Sequence, residues 1–184
     1  MEKIIANEKI ADAELLKSAK SGDLAAFEKI LWLYEKPIFN YIRRLVNQLE
    51  DAEDLTQKTF IKLYKSLKSV NPEKNFKSWL YKIATNTVYD WFRKQKRNSE
   101  ILMENSEIQA ETFAHEDAYY QIESLIDLEK ALNEIKPAYK SILLLYYKNG
   151  LEYNEIAEIL GVPINTVKTH LRRAKLELKN KFNI

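Results

Sequence analysis

The most specific chemistry in the chain lies in residues 151–175. Ala157, Gly161 and Val167 stand four and then six residues apart. That is the spacing of a helix-turn-helix. A small residue lets the second helix cross close to the first, and glycine accepts positive φ in the turn. Val167 then plugs the angle between the helices. Ile156, Leu160, Val162 and Leu171 complete a small core, and Pro163 suits the first turn of the second helix. At 100° per residue, Ile164, Val167, Leu171, Ala174 and Leu178 share one stripe. Asn165, Thr166, Thr169, Arg172 and Arg173 face the other way. Amide, hydroxyl and guanidinium groups on one helix face are those that read base edges and phosphates in a major groove. The competing reading is a helical hairpin with a solvated face.

Two further segments divide into unlike faces. In 76–94, Phe76, Leu80, Ile83, Ala84, Thr87 and Trp91 form an apolar stripe. Trp79, Lys82, Asn86, Tyr89 and Arg93 lie together on another side. Rings interleaved with cations suit unstacked single-stranded bases, since rings stack and cations hold phosphates. The alternative is that Trp79 and Tyr89 only edge the core. In 51–67, Ala52, Thr56, Thr59, Phe60, Leu63 and Leu67 point one way. Asp54, Gln57, Lys58 and Ile61 point the other, and an apolar Ile61 among polar groups hints at a partner surface. Catalytic material is scarce. The chain has no Cys, and its two His, His115 and His170, are far apart. No Gly-rich phosphate loop is present. An enzyme with an appended DNA-binding domain therefore lacks its catalytic cluster, and no metal, cofactor or small-molecule substrate is expected.

The elements that must position these groups read as helices. Only three Gly and four Pro occur in 184 residues, against 46% apolar and 30% charged residues. Ser21-Gly22-Asp23 breaks the first helical pattern, with Asp23 as N-cap of the next. Pro37 is expected to interrupt or kink that helix. The acids of 50–54 open a helix that runs to about Lys68, where negative charge favours the N-terminal dipole. Residues 70–75 read as a loop. A helix from Phe76 or Lys77 is expected to end in the basic run 93–97. Helical spacing returns from about Ile122 through Leu125, Leu128, Leu132 and Ile135. Pro137 starts another helix, Asn149-Gly150 ends it, and two shorter helices follow.

Charge divides the chain the same way. Residues 1–97 carry 19 basic and 13 acidic groups, 98–129 carry nine acids and no base, and 130–184 carry ten basic and five acidic groups. Two basic blocks flank an acidic connector, which points to nucleic acid. The expected fold is all-α: two small helical domains, 1–97 and 122–184, joined by an acidic flexible linker, 98–121. No apolar run approaches the ~18 residues of a membrane helix. The N-terminus lacks a signal-peptide core, so a cytoplasmic protein without direct membrane insertion is expected.

Taken in order, the segment 51–60 (Asp-Ala-Glu-Asp-Leu-Thr-Gln-Lys-Thr-Phe), the segment 76–86 (Phe-Lys-Ser-Trp-Leu-Tyr-Lys-Ile-Ala-Thr-Asn) and the helix-turn-helix resemble the extracytoplasmic-function sigma factors of bacterial RNA polymerase. The resemblance spans about residues 14–182. It implies an alternative sigma factor that binds core RNA polymerase and promoter DNA and directs initiation. Asp54 and Gln57, with Lys58 and Ile61 beside them, would dock on the polymerase's largest subunit. Asn71, Lys74 and Asn75 of the loop, with Trp79, Lys82, Asn86, Tyr89 and Arg93, would read and melt the −10 element. Asn165, Thr166, Thr169, Arg172 and Arg173 would read the −35 element as duplex. The acidic linker would thread near the active centre, mimicking nucleic acid. An anti-sigma factor is the further partner implied. Lys58 departs from the family, which commonly has Glu there. The stretch 166–171 is also similar to LuxR-type regulators, but that reading leaves residues 14–97 unexplained. A helical adaptor that binds only protein is a further alternative.

Overall fold

The computed structural model describes residues 13–71, 75–104 and 132–182, and among these there is no strand. The first helix, α1, covers residues 13–20 and buries Leu16 and Ala19. Gly22, at φ 99°, turns the chain. Asp23 then caps α2, Leu24–Val46, its Oδ1 accepting from the Ala25 and Ala26 amides at 2.9 and 3.2 Å. These amides would otherwise be orphan donors of the first turn. Contrary to expectation, α2 runs through Pro37 without a break. Pro37 is exposed, as is Leu33 four residues earlier, whose carbonyl has no proline N–H to accept from. Asn47, at φ 67°, ends the helix in the left-handed region, where Asn is tolerated.

Helix α3, Leu49–Ser66, opens with Glu50 and Asp51 in its first turn. A single 3-10 turn, Leu67–Ser69, follows it. Helix α4 spans Phe76–Glu104 and runs seven residues into the expected linker. The basic run 93–97 sits inside it, so clustered like charge did not end the helix. Nothing in 93–104 is a Gly or Pro that would force a stop.

Helices α2, α3 and α4 pack on one another as a three-helix bundle. Its centre is Ile30, Ile38, Ile42, Leu55, Leu63, Leu80, Tyr81, Ala84 and Val88. The faces read from spacing hold: Ala52, Thr56, Thr59, Phe60, Leu63 and Leu67 are all buried. Among the buried polar groups of the described residues, the Ser78 hydroxyl has no partner, while Thr85 and Tyr41 pair with each other. The Thr85 hydroxyl donates to the Tyr81 carbonyl at 2.7 Å, which leaves the Tyr41 phenol to donate to Thr85 Oγ1 at 2.8 Å.

Burial pushes the Tyr41 and Tyr81 phenols well above their ordinary range. Because the folded value lies above the unfolded one near 10, the stabilisation is full below pH ~10 and is lost as pH rises above it. Chemical denaturation at stepped pH should therefore give flat stability between pH 7 and 9 and a fall above 10. Tyr41→Phe should cost about 1 kcal/mol at neutral pH and make that alkaline fall shallower. An unchanged pH profile in the variant would show that Tyr41 ionisation plays no part.

In the C-terminal domain, α5, Pro137–Leu143, begins with Pro137 at its first turn. It continues into a π turn, Leu144–Lys148, closed by the Asn149 amide on the Leu144 carbonyl at 3.0 Å. Gly150 follows at φ 64°. Then come α6, Tyr153–Leu160, and α7, Ile164–Phe182. The last helix has 19 residues and is longer than its sequence reading. Ile156, Ile159, Val167, Leu171 and Ala174 are buried between α5, α6 and α7.

Several polar contacts join the two domains at a seam, beside the apolar packing of α4 on α6. Lys77 Nζ donates to the Asn149 carbonyl at 2.8 Å, and the Tyr81 hydroxyl donates to Asn149 Oδ1 at 2.7 Å. The Tyr89 hydroxyl donates to Ser141 Oγ at 3.1 Å. Lys140, buried in α5, donates to Asn47 at the end of α2 at 3.0 Å and to Asn133 at 2.6 Å. Asn75 donates to Glu155 of α6. Helix α4 packs directly on α6.

Candidate nucleic-acid interface

The helix-turn-helix is built as its spacing demands. Gly161 takes φ 64° and its amide returns to the Ala157 carbonyl. The Val162 amide reaches the same carbonyl at 3.1 Å. Val167 is fully buried where α6 and α7 cross. Across the crossing, Asn165, Thr169, Arg172 and Arg173 are exposed and Thr166 is half-exposed. The Thr169 hydroxyl donates to the Asn165 carbonyl at 2.8 Å, which leaves its oxygen free to accept. No acidic residue of α7 precedes Glu177. This face is therefore cationic and open. His170 is not on it, because its ring packs edge-on against Tyr139 at 5.1 Å.

On α4 the expected single-strand face is only partly assembled. Lys82 and Asn86 are exposed and Trp79 is half-buried, tilted against Phe76 at 6.1 Å. Arg93 is exposed but its guanidinium is paired with Asp90. Asp90 also attracts Lys62 at 3.6 Å, and Lys62 donates to Thr87 at 3.1 Å. Tyr89 is turned into the seam with Ser141, where burial raises its phenol. Asn71 is exposed and Lys74 lies outside the described residues. Asn75 does two other jobs. Its Oδ1 accepts from the Ser78 amide at 3.2 Å, capping α4, and its Nδ2 reaches Glu155.

The third face has more to it than spacing suggested. An open groove of about 1190 Å³ lies between α2 and α3. Its polar side carries Asp54 and Gln57, with Glu50 and Glu53. Its floor carries Ile61, Phe27, Leu31, Phe39, Phe60 and Tyr64. Tyr64 meets Phe27 edge-to-face at 5.1 Å. Sequence reasoning found Asp54, Gln57 and Ile61 but did not single out Phe27 and Leu31. A signal was present: with Phe39, the apolar residues of α2 cover roughly 180° of its surface, more than one packing neighbour can cover. Lys58 is exposed beside the groove and not among its lining residues, its ammonium paired with Asp54.

That pair lies at the surface between residues four apart, so it contributes only ~0.3–0.5 kcal/mol to stability. Lys58→Ala should leave thermal stability nearly unchanged. By freeing the Asp54 carboxylate it should strengthen binding of a cationic partner at the groove several-fold. Weaker binding in a titration would mean that Lys58 itself makes the contact.

Comparison with known proteins agrees with both halves of this geometry. Residues 33–98 match the family model for sigma-70 region 2, and residues 125–178 match that for sigma-70 region 4. The chain is 31% identical over 176 residues to the ECF RNA polymerase sigma factor SigW of Bacillus subtilis, covering 91% of this chain and 94% of that one. It is 38% identical over 136 residues to the sigma factor SigV of the same organism, covering 74% and 76%. Among solved structures it resembles the sigma factor RpoE of Bartonella quintana, crystallised with the anti-sigma factor NepR. That match has a TM-score of 0.72 and 28% identity, covering 86% of this chain and 97% of that one.

Fold, site and relatives together define a promoter-specificity subunit of the sigma-70 type. The chain belongs to the ECF RNA polymerase sigma factors. It directs promoter-specific transcription initiation as an alternative sigma factor. The LuxR-like reading accounts for the C-terminal motif alone and leaves the region 2 match unexplained. No helix among the described residues is long and apolar enough to cross a membrane.

Proposed function

We propose that the chain divides its work among three faces. The α2–α3 groove docks on core RNA polymerase, with Asp54 and Gln57 taking polar contacts and Ile61 an apolar one. The helix α4 and the loop before it, through Asn71, Lys74, Asn75, Trp79, Lys82, Asn86, Tyr89 and Arg93, hold and read the melted −10 strand. Stacking returns ~1–3 kcal/mol per base against the few that flipping costs. The recognition helix reads the −35 duplex through Asn165, Thr166, Thr169, Arg172 and Arg173. All nucleotide chemistry belongs to the polymerase, so the chain acts in the cytoplasm without an enzymatic step of its own. The sigma factor RpoE of Bartonella quintana, which this chain resembles, is solved in complex with an anti-sigma factor, and the same kind of partner is proposed here.

The observation that carries this reading is the groove itself. An open, apolar-floored cleft rimmed by four carboxylates and two lysines, on the domain opposite a cationic recognition helix, supports one partner of protein and another of nucleic acid. Its test is competition with the housekeeping sigma factor for bacterial core polymerase. Wild type should compete, and an Asp54→Ala, Gln57→Ala double variant should lose at least tenfold in affinity, the effect of removing about 1.4 kcal/mol of charge-assisted contact. Equal competition by both would move docking to another face. No competition by either would remove the polymerase-binding role.

A further inference from the structure

Trp32 stands on α2 with 82% of its surface open to water, more than any other large apolar residue among those described. The helix buries its core on other faces and gains nothing from a ring in solvent. Covering such a side chain on binding removes ~150–250 Å² from water.

Its place on the helix ties it to the groove. Glu35 and Lys36, three and four residues on, both line the groove, and so does Phe39, seven residues on. Residues at i, i+3, i+4 and i+7 share one helix face. Trp32 therefore stands on the outer edge of the α2 wall, above the apolar floor that Leu31 and Phe39 help to form. Leu33 is turned ~100° away from it. An apolar residue scattered singly on a surface needs no explanation. This one prolongs an apolar wall.

The charges around the ring select the kind of partner. Exposed Glu28 and Lys29 lie one turn before it, and exposed Glu35 and Lys36 one turn after. Two acids and two bases cancel. A nucleic acid or an anionic lipid surface would meet two carboxylates beside the ring, which works against a polyanion. A protein surface that carries both signs around an apolar pocket fits, and tryptophan is enriched among the anchors of such contacts.

We infer that Trp32 is an anchor for core RNA polymerase: the element seated in the α2–α3 groove overhangs the α2 edge and takes the Trp32 ring into an apolar pocket of its own. This rests on the docking face proposed above and widens it. Asp54, Gln57 and Ile61 hold the partner from α3, and Trp32 holds it from α2 across the groove. A partner that only filled the groove would leave the ring as exposed in the complex as in the free chain.

Because the ring is exposed, its replacement should cost the fold little, which circular dichroism checks. In competition with the housekeeping sigma factor for core polymerase, Trp32→Ala should lose about 30-fold in affinity, the ~2 kcal/mol of a truncated anchor. Trp32→Phe should recover part of that loss, and Leu33→Ala should compete as wild type does. If Trp32→Ala competes like wild type while the Asp54→Ala, Gln57→Ala variant fails, the anchor is overturned and the docking face stands. If neither change matters, the docking face falls and the anchor with it. A second readout uses the three tryptophans of the chain. With fluorotryptophan incorporated, the fluorine resonance that Trp32→Phe removes should shift or broaden on adding core polymerase. It should stay in place on adding promoter duplex or a −10 single strand, and on concentrating the free chain. A shift with DNA alone would assign the ring to nucleic acid, and a shift with concentration alone to a second copy; either overturns the inference.

Discussion

Val167→Asp is expected to unfold the C-terminal domain and abolish binding to −35 duplex. Val167 is fully buried where α6 crosses α7, with Ile156, Ile159, Leu171 and Ala174 buried beside it. No cation is among these neighbours to compensate a carboxylate. An unpaired buried charge costs several kcal/mol even after local relaxation, and the lost packing adds to it. A destabilisation of ~4 kcal/mol or more is a large share of what a small domain possesses. The N-terminal bundle has its own core and should survive. A smaller transition, that of the N-terminal bundle alone, should then remain, with polymerase affinity falling less than duplex affinity. A cooperative loss of both domains at once would mean that the packing of α4 on α6 couples their folding. Val167→Ala should cost only about 1–3 kcal/mol by comparison, because it leaves a cavity and no charge.

The second large effect is on recognition itself. Arg172→Ala or Arg173→Ala should cost ~1–3 kcal/mol in duplex affinity wherever the guanidinium reads a base edge, or roughly 5- to 150-fold. Neither side chain is buried, so stability should hardly move. Two signatures separate base reading from phosphate holding. Loss of a base contact relaxes preference at one position of the −35 element and leaves the salt dependence nearly intact. Loss of a phosphate contact weakens all sequences alike and flattens the salt slope by about one. Competition titrations over a panel of duplexes at two salt concentrations distinguish them. If both replacements leave upstream binding unchanged, α7 is not the reading helix.

The helix-turn-helix was legible because its constraints are local. A small residue, a glycine and a plug at fixed spacing admit few other folds, and the structure has Gly161 at φ 64° and Val167 buried. The core face of α3 was legible for the same reason, since a 3.6-residue period leaves little choice. Pro37 does not interrupt α2, because a proline inside a helix removes one hydrogen bond and the packing of the rest of α2 outweighs that loss. The end of α4 was misread because charge repulsion among 93–97 is weak in water, while helix propensity continues to Glu104. The groove was half legible. Ile61 betrayed it as an apolar group on a polar face, whereas Phe27 and Leu31 hid within a stripe that also feeds the core. The seam was invisible: Tyr81 with Asn149, and Tyr89 with Ser141, join residues 68 and 52 positions apart. No local period encodes such pairs.

The π turn at Leu144–Lys148 gives that seam an unusual dependence on chain length. Each residue of a helix turns the next by about 100°, so one extra residue in a turn resets the rotational phase of everything after it. Asn149 meets Tyr81 and Lys77 only in the phase that the π turn sets. Deleting one residue from 144–148 would restore an ordinary helix and bring a different side chain round to α4. The helix-turn-helix begins only beyond Gly150 and would keep its own geometry. A single codon gained or lost there would therefore change which side chain meets α4 while leaving the helix-turn-helix as it is.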